Sequence, residues 1–154
     1  MARASTIKPS IILRCNLFVV ILFSAIFSCN TKTHSKEEIE SAMKNYDRLI
    51  EKTDADSIAL VYAKDGQLGS IANGRDSIRK FLARFKDFHV LSQETETRSI
   101  VISGDSAIQK GIYHQVTITP KKDTVHVSGE FEATWIWNYE GGWLLKKMET
   151  KPLK

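Results

Sequence analysis

Hydrophobic and polar positions along the chain follow two different periods, and the change falls near residue 90. Ahead of it, Ile39, Ala42, Met43, Tyr46, Leu49 and Ile50 recur at three- and four-residue steps, which is one face of a helix. Ser35 and Glu38 precede that face in the S-x-x-E form of a capping box. Thr53, Asp54 and Asp56 interrupt the pattern with cap-type side chains, and Ile58, Ala59, Leu60 and Tyr62 predict a second, short helix. Asp65-Gly66 reads as the turn that ends it. A poorly patterned stretch runs to Ile71, Asn73-Gly74 makes another turn, and Ile78, Phe81, Leu82 and Phe85 predict a third helix. Its opposite side, Arg79, Lys80, Arg84 and Lys86, reads as a solvated face.

From residue 90 the period becomes that of strands. Residues 90–103 and 107–119 flank Gly104-Asp105, a tight-turn pair. Residues 124–139 follow the polar loop Pro120-Lys121-Lys122-Asp123, with a bulge or bend expected at Gly129. Glu140-Gly141-Gly142 turns the chain into residues 143–150. Helices first and a four-strand antiparallel meander afterwards define an α+β layer architecture rather than an alternating one.

The first 28 residues obey neither period. Arg3, Lys8 and Arg14 precede an uncharged apolar run over residues 17–27, the form of a secretory signal peptide. Eleven residues of helix reach only about 16 Å, roughly half of a bilayer's hydrocarbon core, so a spanning helix is a poor reading. The run ends Ile26-Phe27-Ser28-Cys29, which resembles a bacterial lipobox. The resemblance implies cleavage before Cys29, diacylglycerol on its sulfur and acylation of the new amine, with residues 29–34 as an acylated tether and 35–154 as the domain. Two or three acyl chains anchor permanently where one binds reversibly. The expected location is the bacterial cell envelope, on the membrane and facing the periplasm or the exterior.

Charge and cysteine content then fall into place. The 154 residues carry 22 Lys and Arg against 18 Asp and Glu, but three of the basic residues and none of the acids lie in residues 1–28. The remainder is nearly neutral, so the basic balance gives no support to nucleic-acid binding. Cys15 lies inside the leader, leaving Cys29 as the one cysteine of a mature chain, with no disulfide or cysteine metal site. His34 falls in the tether, and His89 and His126 have no companion at ligand spacing, so neither metal nor cofactor is expected. No phosphate loop, serine elbow, zinc-protease helix or nucleotide fingerprint is present.

The order of elements and several phrases resemble the nuclear transport factor 2-like superfamily in its SnoaL-like and ketosteroid isomerase-like branch. The phrases are Asp56-Ser57-Ile58-Ala59 leading to Tyr62-Ala63-Lys64-Asp65, Gly74-Arg75-Asp76-Ser77-Ile78, Gly104-Asp105-Ser106-Ala107 and Tyr139-Glu140-Gly141-Gly142-Trp143. The resemblance implies N-terminal helices packed on a curved antiparallel sheet, a cone with an apolar pocket suited to a small hydrophobic ligand. The isomerase branch needs a carboxylate base, a Tyr and a protonated Asp. Matching puts Tyr46 at the Tyr position but Ser70 at the base and Thr134 at the second donor, and no acid lies between Gly66 and Gly74. Isomerisation by the family mechanism is therefore not expected.

The candidate pocket residues are Tyr46, Tyr62, Asp65, His114 and Thr134. Asp65 before a glycine is as well explained as a turn former, Tyr46 as a core phenol, and His114 as a core or edge histidine between Ile112 and Val116. Phe131, Trp135 and Trp137 alternate with Glu132, Thr134 and Ile136, so pattern buries the aromatic face while the family match turns the Thr134 face into the cone. Both hold if a second subunit covers the aromatics, as dimers of this family commonly do; otherwise a bulge at Gly129 shifts the register, or the match is off by one. Phe131, Trp135 and Trp137 are thus the candidate homodimer face. Three functions follow: a lipid-anchored module binding a small apolar or amphipathic ligand without chemistry, a SnoaL-like isomerase, cyclase or hydratase, or an interaction protein with a filled cone. The lack of a base and donor pair ranks binding first.

Overall fold

The computed structural model describes residues 33–153, and Thr33–Lys154 forms one compact unit. The leader and Cys29 lie outside the described residues. Helix α1, Lys36–Lys52, buries Ile39, Met43 and Tyr46, the stripe the sequence marks, and Asp47 beside them. Ser35 caps it without a side-chain hydrogen bond, so the capping box does not form. Glu38 instead accepts from His34 Nδ1 at 2.9 Å and Trp143 Nε1 at 3.0 Å. Thr53 ends the helix in the left-handed region, its N–H on the Ile50 carbonyl. Helix α2, Ala55–Val61, starts at Asp54, whose carboxylate accepts from the Asp56 and Ser57 N–H groups.

The stretch expected to turn at Asp65-Gly66 is instead strand β1, Tyr62–Leu68. Gly66 is required there by close approach, since a Cβ would lie 3.0 Å from the carbonyl oxygens of Ala63 and Leu145. After the turn at Gly69, β2, Ala72–Asn73, pairs back on β1. Helix α3, Arg75–Leu82, follows Gly74 and tightens into a 3-10 turn at Ala83–Phe85. Arg75 locks it to β1 by donating from Nε and Nη2 to the Tyr62 carbonyl at 3.0 and 2.6 Å.

Strands β3, His89–Ser103, β4, Ser106–Ile118, β5, Thr124–Asn138, and β6, Gly142–Pro152, form the expected antiparallel meander. The sheet is larger than that and mixed. Its order is β2-β1-β6-β5-β4-β3, with β1 parallel to β6. The α+β class and the curved sheet under N-terminal helices hold, while the purely antiparallel sheet does not, because β1, which follows the first two helices, lies parallel beside β6.

Alternation along β5 decides which side chains the helices cover. Phe131, Ala133 and Trp135 are buried in the chain's own core, and Glu130, Glu132, Thr134 and Ile136 occupy the other, outer face. Phe131 and Trp135 are thus core residues rather than a dimer face, and Thr134 points away from the cone. Trp135, fully buried, donates from Nε1 to Gln109 Oε1 at 3.0 Å, and Gln109 Nε2 donates to Thr97 Oγ1 at 2.8 Å. Gly129 carries no bulge. It stands in register opposite Tyr113, and a Cβ there would lie 2.5 Å from the Tyr113 ring; the irregularity of β5 lies between Thr134 and Trp135.

Candidate functional site

The end of α1, helix α2, the α3 region and the inner face of the sheet enclose a cleft of 310 Å³. Ile50, Ile58, Leu82, Phe85 and Phe88 line its helical side. Phe81, Phe85 and Phe88 stack edge to face at 5.3 and 5.4 Å, which holds that wall in shape. Val90, Thr117, Val125 and Val127 supply the strand side. A second compartment of 150 Å³ shares Ile50 and Gln115 with the cleft and continues under α1 to Met43, Tyr46, Tyr113 and Phe131. Apolar concavities with a few polar groups are the usual form of small-ligand sites.

At the inner compartment Tyr46 and Tyr62 bring their phenol oxygens to 3.2 Å, with ring centroids 6.1 Å apart. Tyr62 is fully buried, and Tyr46 is the partner of its hydroxyl. Either phenol can donate to the other; with Tyr62 as donor, the Tyr46 proton is left to turn toward the compartment it lines. Burial pushes the Tyr46 phenol up to about 12, against the hydrogen bond from Tyr62, which lowers it, and with a smaller push from Asp47. Burial likewise raises the Tyr62 phenol well above its ordinary value.

Of the five candidate pocket residues the structure brings together only these two. Asp65 is exposed and ion-paired to Lys146 Nζ at 2.5 Å, which holds its carboxyl below the usual range. His114 lies on the outer face of β4, exposed, with Nδ1 2.8 Å from Ser128 Oγ. Alternation puts it there because the inner row of β4 is Ala107, Gln109, Gly111, Tyr113, Gln115 and Thr117. Trp137 is half-buried against His34 and Trp143, at centroid distances of 4.5 and 5.6 Å.

Two residues that sequence reasoning passed over matter here. His34 is no free tether residue: its side chain is 1% exposed, lies between Trp137 and Trp143, and has Nε2 3.4 Å from Asp105 Oδ1. Asp47 is buried, accepting from Thr95 Oγ1 at 2.6 Å and Gln93 Nε2 at 3.4 Å. Burial raises its carboxyl, with the Thr95 and Gln93 hydrogen bonds acting the other way. One turn on, Glu51 Oε1 accepts the Gln93 backbone N–H at 3.1 Å, so two acids of α1 clasp β3. The signal for Asp47 was its spacing of four from Met43, which places a carboxylate within the apolar stripe. Among the described residues no cluster could hold a metal, and no helix is long and apolar enough to cross a membrane.

A long helix laid over a curved open sheet, with an apolar cleft between them and a phenol at its inner end, defines an α+β cone of the small-ligand-binding kind. The SnoaL-like domain family matches residues 31–149, and the chain belongs to it. A ketosteroid isomerase-like protein from Erwinia carotovora atroseptica SCRI1043 is 17% identical at a TM-score of 0.67, over 77% of this chain and 95% of its own. An NTF2-like protein with a cystatin-like fold from Novosphingobium aromaticivorans is 18% identical at 0.65, over 77% and 82%. A protein from Catenulispora acidiphila in complex with S-DNPA is 12% identical at 0.65, over 75% and 91%. At these identities the likeness is one of fold. No curated protein matches the sequence.

Proposed function

We propose that the domain binds a small, largely apolar ligand in the cleft without proton-transfer chemistry, and that a lipid on Cys29 holds it at the cell envelope. The observation that carries the binding reading is the make-up of the two compartments. Tyr46 and Tyr113 are the ionisable groups among the described residues lining them; the Asp47 carboxylate stands outside the lining, behind Gln93 and Thr95, and is taken up by hydrogen bonds from both. A general base works best with a pKa near the operating pH, and the Tyr46 phenol, at about 12, lies far above it. The compartment volumes speak against a cone filled by its own side chains. The neighbour in complex with S-DNPA lends the fold a precedent for a bound molecule.

Native mass spectrometry of the mature protein, released gently from its own host's membranes, tests the binding reading. A reproducible small-molecule adduct that Leu82→Trp abolishes, by filling the cleft, supports it; no adduct, or one indifferent to that substitution, refutes it. The same spectrum reads the anchor, as the mass of acyl chains on a chain beginning at residue 29, lost in Cys29→Ser.

The homodimer is proposed on a new face. The outer side of the sheet carries Val101 and Ile108, 64% and 42% exposed, in one row, with Ile112 and Ile136 close by. Arg98–Glu130 and Lys110–Glu132 pairs cross the same face. An apolar patch with a polar surround suits a partner surface. Sedimentation giving a two-chain mass for the wild type and a one-chain mass for Ile108→Asp is the expected result; a wild-type monomer rules the dimer out.

A further inference from the structure

The structure assigns Thr117 as the polar contact of the cleft, and we infer that the ligand is neutral and carries a hydroxyl or carbonyl oxygen that Thr117 reads. This rests on the binding reading above and goes on to name the ligand's chemistry. Thr117 is 8% exposed, lines the cleft from the inner row of β4, and its Oγ1 is buried without a hydrogen-bond partner. The reason is the register. Its cross-strand neighbours on that face are Val90 of β3 and Val125 of β5, so neither flank offers a polar side chain. Of the other hydroxyls in the wall, Thr119 Oγ1 accepts the Asp123 N–H at 3.2 Å. A buried hydroxyl without a partner is destabilising, and it persists most simply where something else completes it.

The remaining walls set the ligand's charge. Every other described lining side chain of the cleft is apolar or a neutral Thr or Gln. An anion or an ammonium group placed there meets no counter-charge and loses its hydration, which a neutral oxygen does not. The ligand's apolar body then lies against Ile58, Leu82 and the phenylalanines, and its one oxygen against Thr117.

The test uses the mature acylated chain in nanodiscs, with methyl NMR of Val90 and Val125 reporting from beside Thr117. The probes are cyclohexanol, cyclohexanone, cyclohexane and cyclohexanecarboxylate. Expected are methyl shifts from the first three and none from the carboxylate at neutral pH. Thr117→Val, equal in shape, is expected to weaken cyclohexanol and cyclohexanone roughly three- to tenfold, the loss of one neutral hydrogen bond, and to leave cyclohexane unchanged. Thr117→Ser, which keeps the hydroxyl, is expected to retain the preference. A thermal midpoint for Thr117→Val at or above wild type shows that the variant folds. Equal ratios of cyclohexanol to cyclohexane affinity in wild type and Thr117→Val, or binding of the carboxylate as tight as that of the alcohol, overturn the inference and leave the cleft reading standing. No shift from any probe, cyclohexane included, overturns both.

Discussion

Replacing Gln109 by Met keeps the length of the side chain and takes away its carbonyl. In the wild type that carbonyl accepts the indole N–H of Trp135, and both residues are fully buried. In Gln109→Met the N–H is left with no partner and no route to water, which costs about 1–3 kcal/mol. Thr97 loses the Gln109 donor too, but it is only half-buried and can turn to solvent, so it adds little. For a domain of about 120 residues, 1 kcal/mol moves the thermal midpoint by roughly 4 °C, so the expected drop is about 4–12 °C. Trp135→Phe strands the other half of the same bond. The double variant then loses less than the two single ones together, with a coupling energy of about 1 kcal/mol or more. Differential scanning calorimetry at several protein concentrations reads all three. The drop is expected to be independent of concentration, because the bond lies inside one chain. An unchanged midpoint accompanied by weaker self-association would mean that the Trp135 face belongs between subunits after all.

Further outcomes follow from particular contacts. The folded chain holds a proton on Asp47 that the unfolded chain has released, so stability falls as pH rises from the unfolded value near 3.8 through the raised folded one, then levels. Asp47→Asn keeps an acceptor for Thr95 and removes that slope, which urea titrations across the interval would detect; an unaltered slope would assign the titration elsewhere. Gly129→Ala sets a Cβ 2.5 Å from the Tyr113 ring and 2.7 Å from the Lys151 carbonyl oxygen, at a cost of about 1–3 kcal/mol by calorimetry. Adding Tyr113→Ala is expected to recover only part of that loss, since the carbonyl is backbone and stays.

What could be read from the sequence was whatever depends on neighbours along the chain. The stripe from Ile39 to Ile50 marks α1, and the turn at Gly104-Asp105 marks the start of the meander. Strand β1 escaped because Lys64-Asp65-Gly66-Gln67 has no apolar alternation and its partner, β6, lies some eighty residues away. On β5, pattern alone buried the aromatic row, as the structure does, while the family match turned the wrong face, that of Thr134, inward. On β4 the usual inference inverts: the row with Ile108, Ile112 and Val116 is outside, while Gln109, Tyr113, Gln115 and Thr117 face the helices. That inversion removed His114 from the site and hid Thr117. Tyr46 was found because it lies on α1's own stripe; the residues lining the cleft were not, because its walls come from segments with no local signature in common.

The clasp of α1 on β3 bears on how copies of this chain behave when crowded. An open sheet has two rims, and a rim with a row of unpaired N–H and C=O groups invites a stray strand to add itself, the first step toward fibres. One rim here ends in β2, two residues long. At the other, Glu51 occupies the Gln93 N–H and Asp47 binds the Gln93 and Thr95 side chains, so α1 lies where an incoming strand would have to pair. Glu51, one turn beyond the carboxylate of the apolar stripe, thereby closes that stretch of the rim to an added strand.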